Sequence, residues 1–176
     1  RANRLVAKIA RLLGEDDKPY EQEADKIHKA VNSHLWLPHR GHWAEFVDYM
    51  GNRQTHENAA IWPIYHALDG DLHTPEQAWQ ATRYVDREIP HIHVNAKGLP
   101  ENTYSVISTS SWMPYSWSVN NVALAEIYHM ALAYWQAGRN EEAFHLLKSA
   151  VLDNMYLGQS PGNVGQISHY DAARGE

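Results

Sequence analysis

The chain has 176 residues, a formal net charge of −6 and no cysteine. That length suits one sizeable core, the acidity argues against a phosphate-backbone partner, and the missing thiols exclude disulfides, cysteine nucleophiles and thiolate metal sites. Two Phe stand beside seven Trp and ten Tyr, a bias toward rings with a polar handle, which suit wet binding surfaces.

In chain order, Leu5, Ile9 and Leu12 keep helical spacing until Gly14 supplies a stop, and Pro19 then opens a second helix carried by Tyr20, Ala24, Ile27 and Val31. A second pair is expected to begin near Thr55 as N-cap and to run through Ile61 and Tyr65 to Gly70. Pro63 falls close enough to its first turn to be tolerated. The partner helix starts at "TPEQ", where Thr74 caps, Pro75 fills the first turn and Gln77 completes a capping box; Pro90 ends it. A third pair is expected from Ser118 through Ile127 and Tyr134 to Gly138. After Asn140 comes a last helix with Ala143, Leu147, Ala150 and Val151 on one face, ending before Gly158.

Links within pairs are short, and links between them are long: residues 35–54, 91–117 and the tail from Gly158. Antiparallel packing gathers the long links at one end, and loops beyond ~12–15 residues in a compact domain usually carry function or lack order. These hold Trp36, Trp43, Trp112 and Trp117, which is no disordered composition. Pair starts near residues 2, 55 and 118 read as a repeat of helical hairpins in a single domain over residues 1–176. The repeat exceeds the ~34–47 residues of open solenoids, which favours a closed α/α toroid. No apolar run reaches the ~18 residues of a membrane span. A start at Arg1 without Met reads as a piece of something longer and leaves the compartment open.

The stretches "HLWLPHRGHWAEFVD" and "SVNNVALAEIYHMALAYWQAGRNEEAFHLL", with the tail "GNVGQISHYDAARGE", resemble the six-hairpin glycosidases. The resemblance implies an all-α fold, half of a six-hairpin toroid, whose active site lies in the loops leading into inner helices. It also implies a carbohydrate substrate and catalysis by paired carboxyl groups, with the remaining half of the barrel as the structural partner. Cofactor, metal, nucleic acid and membrane are not expected. Sugars present apolar faces, so rings beside acids supply affinity.

If extended, residues 42–49 put Trp43, Glu45 and Val47 on one face and Ala44, Phe46 and Asp48 on the other. Glu45 is therefore the expected general acid, with Asp48, Glu57, Asp171 and Glu176 as further catalytic candidates. Trp36, His42, Trp43, Trp112, Trp117, Asn120 and Asn121 are the expected sugar-binding residues. His91 and His93 share a face if "HIH" is a strand, which suits hydrogen bonds to hydroxyls. Glu126 and His129 form an ExxH pair whose expected place is the core, as it is for Trp62, Trp79 and Trp135. The competing reading is a solenoid module whose aromatic loops hold a peptide or partner protein.

Overall fold

The computed structural model describes residues 1–58, 60–110, 121–156 and 167–171, the last five and Asn121 as backbone. The fold is mainly helical. Helices α1 (Ala2–Leu13) and α2 (Lys18–His34) form one hairpin, α3 (Ile61–Asp69) and α4 (Pro75–Glu88) a second, and α5 (Leu124–Gln136) and α6 (Asn140–Tyr156) a third. Short antiparallel ribbons occupy the links: β1 (Trp36–Leu37) with β2 (His42–Trp43), β3 (His91–His93) with β4 (Ser105–Ile107), and β5 (Asn121–Ala123) with β6 (Ile167–Asp171).

The turns within hairpins follow local chemistry. Gly14 and Gly138 end their turns in the left-handed region, at φ 75° and 77°, where a side chain is strained. Thr74 accepts from the Gln77 N–H while the Gln77 side chain accepts from the Thr74 N–H, closing the capping box ahead of α4.

The long-link ends differ from expectation. Thr55 does not cap α3; it bridges Val47 as part of a hairpin, and α3 starts six residues later, after Ala60. The reason is backbone pairing: Glu45 N–H donates to the His56 carbonyl, His56 N–H to Phe46 and Asp48 N–H to Gln54, which commits residues 54–56 to extended structure. The third pair likewise starts late. Its expected opening at Ser118 lies outside the described residues, and α5 begins at Leu124 after a strand.

Helices α3 and α5 are the most apolar and form the centre of the core. Ile61, Ile64 and Leu68 of α3 and Leu124, Ile127 and Met130 of α5 are all fully buried, together with Val85 and Ile89 from α4 and its end. The C-terminal ends of α3 and α5 meet where Gln136 donates to Asp69. At the other side, the Ile61 N–H at the start of α3 donates to the Thr109 carbonyl of the second long link. Both long links therefore converge on the same end of this layer.

The α1–α2 hairpin is put together differently. Small residues, Ala7, Ala10 and Ala24, form its buried seam, and Arg4 and Arg11 tie α1 to Glu21, Asp25 and Asp17 of α2 or its N-cap. It meets the larger layer at its open end, through Arg1 with Asp69 and Asn32 with the Leu72 carbonyl. The face carrying Leu5, Ile9 and Leu12, whose spacing marks the helix, points to solvent, with Leu12 86% exposed. On α6 the buried face runs through Ala143, Leu146 and Ala150, so Leu147 and Val151 join Phe144 and Met155 in an exposed stripe. Trp79 and Trp135, also expected in the core, lie mostly at the surface; Trp79 stacks against the Arg83 and Arg139 guanidinium groups. Among the described residues no helix is long and apolar enough to cross a membrane.

Candidate active site

Glu45 leaves the β1–β2 ribbon and reaches the N-terminal end of α3. Its Oε2 accepts from the Ala60 N–H at 3.0 Å, and its Oε1 accepts from the Trp62 indole N–H. Ala60 is the N-cap of α3 and carries no capping side chain of its own, so Glu45 satisfies a helix-end amide from fifteen residues upstream. Burial pushes the Glu45 carboxyl above the ordinary carboxylate range, against the stabilising pull of these two donors.

Glu126, in the first turn of α5, faces the same end. Burial raises its carboxyl first, and the charge of Glu45 raises it further, so the two groups are electrostatic neighbours. The Glu126 Oε2 is buried and has no hydrogen-bond partner among the described residues. A buried carboxylate oxygen without a donor carries its desolvation cost uncompensated. One turn into α3, the Tyr65 hydroxyl is pushed up to about 12, by burial and then by the Glu126 charge. The Tyr65 ring meets His129 edge-on at 5.2 Å. Five side chains thus surround the N-terminal ends of α3 and α5: Glu45, Trp62, Tyr65, Glu126 and His129.

The other sequence candidates are distributed unevenly. Trp43, expected to offer a sugar platform, is 1% exposed; its indole donates to Asn32 at 3.3 Å and its ring packs edge-on against the half-buried Trp36. His42 is buried as well, its Nδ1 on the Trp43 carbonyl and its ring 3.8 Å from Tyr84; burial holds it below the ordinary imidazole range. Both residues belong to the core side of the ribbon, because β2 lies across α3 and α4 and turns both of them inward. Asp48 pairs with His56 at 3.0 Å, whose ring stacks on Phe46, so these three stabilise the 45–56 hairpin. Glu57 lies outside any helix and pairs with His39 at 3.2 Å. Arg40 reaches Asn58 and not Glu45. The backbone register sets Asp171 opposite Asn121, immediately ahead of α5. The Asp171 and Asn121 side chains, and Trp112, Trp117, Asn120 and Glu176 entirely, lie outside the described residues.

Reading the sequence alone assigns Glu126, in its ExxH pair with His129, and Trp62 to the core. Glu126 stands between Leu124, Ile127 and Met130 and takes on their core appearance; the signal that finds it is its place in the first turn of the helix that the long link enters.

A family model described as the mannosylglycerate hydrolase MGH1-like glycoside hydrolase domain matches residues 1–92, just over half of the chain. The chain belongs to this family of glycoside hydrolases. The resemblance to the six-hairpin glycosidases is thereby borne out. The matched stretch of the MGH1-like domain runs through α1–α4 and contains Glu45, Trp62 and Tyr65, whereas Glu126 lies beyond it. Comparison with curated proteins gives no match.

Proposed function

We propose that the chain contributes Glu45 and Glu126 as a carboxyl pair to the cleft of a glycoside-cleaving enzyme. The observation that supports this is the buried Glu126 Oε2, without a partner among the described residues and within electrostatic reach of a carboxylate that already holds two N–H donors. Surroundings that push two carboxyl groups apart assign the acid and the base. Glu45 has donors that stabilise its anion and sits at the positive end of α3, whereas Glu126 has repulsion and a dry oxygen. In this reading Glu126 carries the proton and gives it to the glycosidic oxygen as the bond from the anomeric carbon breaks. Glu45 accepts a proton from the water that attacks that carbon, and proton exchange with solvent restores both groups. The acid role expected for Glu45 thus passes to its neighbour, and Glu45 takes the base role.

The substrate class is a carbohydrate, and the family name makes a mannoside the first glycone to test. The chain forms one α/α-hairpin domain within a larger toroid, whose other hairpins cover the exposed apolar stripes of α1 and α6. The isolated 176-residue chain is accordingly expected to show no turnover.

Two variants of the full-length protein test the roles, assayed on glycosides with poor and with activated aryl leaving groups. Glu126→Gln should lose ~10²–10⁴-fold in rate on poor leaving groups and much less on aryl glycosides, which need little protonation. Glu45→Gln should lose rate on both. The reverse pattern returns the acid role to Glu45. Full activity in both variants moves the chemistry elsewhere, with Asp171 and Glu176 next to test.

A further inference from the structure

A cavity of about 520 Å³ lies between helices α4 and α6, closed on one side by the β3–β4 ribbon. It shares no residue with the carboxyl pair. We infer that this cavity is a second binding site, for an uncharged saccharide. The inference rests on the chain being carbohydrate-active but not on the roles of Glu45 and Glu126.

The chemistry of the lining selects the ligand. Its floor is apolar and buried: Ile107 from β4, Leu146 from α6 and the Tyr134 ring from α5. Its rim alternates donors and acceptors, from His91, Ser105, Glu141 and His145. An apolar floor beneath a ring of hydrogen-bonding groups is the complement of a pyranose, which has C–H faces and hydroxyl edges. The volume falls within the ~300–1,000 Å³ of small-molecule sites. Just beyond Ser105, the Tyr104 ring stacks on His145 at 6.0 Å and lies 4.9 Å from the Lys148 ammonium, which extends the aromatic edge of the rim.

Charge excludes the other ligand classes. Among the described residues no Lys or Arg lines the cavity, so it offers no cation to pair with a phosphate or a carboxylate. Of the three acids that do line it, Asp86, Glu141 and Glu142, two are already neutralised. Asp86 accepts from the Tyr134 hydroxyl at 2.6 Å and pairs with Arg83 and Arg139, each at 2.9 Å, and Glu142 pairs with Arg139 at 2.7 Å. The one remaining exposed carboxylate, Glu141, gives little hold on a cation in water. The same network fixes the floor before any ligand arrives. The ribbon is pinned over it by the Ser105 N–H on the Ser149 hydroxyl at 3.2 Å, and by the Ser108 N–H on the Pro90 carbonyl at 3.0 Å. A preformed site loses less free energy to ordering on binding.

The test is calorimetric titration of the full-length protein, carrying Glu45→Gln to stop turnover, with cellobiose and with lactose. Two variants are compared: Ser105→Trp, which places an indole in the cavity, and the pair His91→Ala with His145→Ala, two exposed residues whose loss spares the core. The expected result is a binding event weakened by about tenfold or more in both variants, the scale of losing one well-placed contact patch. Where Ser105→Trp disturbs folding, the histidine pair decides alone. Isotherms unchanged in the histidine pair, no saccharide heat in the unblocked protein, or competition by inorganic phosphate or putrescine would each overturn the assignment. Hydrolysis of an aryl glycoside by the Glu45 protein is measured alongside, so failure here is separable from failure of the catalytic reading.

Discussion

The two ends of the α3–α6 layer are built on different terms. At the end of the short turns, each helix is closed by residues adjacent in sequence: Thr74 with Gln77 ahead of α4, and Gly138 after α5. At the end of the long links, α3 and α5 begin on Ala60 and Ala123, and neither start has a side-chain cap from its own segment. The α3 amide is satisfied instead by Glu45, and the first turn of α5 holds a carboxyl oxygen with no partner among the described residues. A helix end finished by local residues serves folding alone. An end left open to groups brought from far along the chain concentrates positive helix-end amides, buried acids and indole donors in one place, and such places suit chemistry.

The largest effect that would sharpen this contrast comes from Glu45→Ala. It leaves the Ala60 N–H and the Trp62 indole without their acceptor, and each unsatisfied donor costs about 1–3 kcal/mol. A loss of unfolding free energy of that order, read from denaturant unfolding as a lowered midpoint at unchanged slope, supports Glu45 as the structural closure of α3. An unchanged midpoint would mean that water replaces it freely, and that the two ends are less different than they look.

At the local end the expected losses are smaller. Gly138→Ala forces a side chain into φ 77°, with nothing within 4 Å of the added carbon, so the cost is conformational alone, about 1–2 kcal/mol. Thr74→Ala removes the capping acceptor and should cost about 1 kcal/mol. Thermal melts of both variants check these values. A Thr74→Ala loss well above the Glu45→Ala loss would invert the comparison.

The same contrast explains what the sequence could tell. The α4 start, the Gly14 and Gly138 turns and the six helices are legible because each depends on residues within a few positions of one another. The start of α3 is not, because Thr55 reads as a cap until Val47 pairs with it across the hairpin. Alternation correctly separates Ile92 from His91 and His93, but it misplaces Trp43, since β2 lies flat on α3 and α4 and buries Trp43 and its neighbours together. Apolar spacing identifies α1 as a helix but not which side is covered; the alanine seam takes α2 and leaves Leu5, Ile9 and Leu12 outside. Glu45 stands out in the sequence because its loop is long and aromatic. Glu126 does not, because its helix is apolar around it and its partner lies eighty-one positions upstream.

The smallest expected shift has the opposite sign and comes from Glu126→Gln. Burial and the Glu45 charge place the folded-state pKa of Glu126 above its unfolded value. Such a group contributes stability that is fully present below the unfolded pKa, ~4.3, and is lost as pH rises through the raised folded value. Above the unfolded value the native protein must either take up a proton at Glu126 or carry a poorly solvated charge, and glutamine does neither. Glutamine can also donate to Glu45 where a carboxylate can only repel it. Melting temperatures measured from pH 4 upward should coincide near pH 4, and the variant should gain on the parent as pH rises through the raised folded value. A variant less stable than the parent at neutral pH would show that the Glu126 charge is satisfied in the folded protein. The open end would then be closed as completely as the local one, and the case for keeping a strained acid there for catalysis would fall with it.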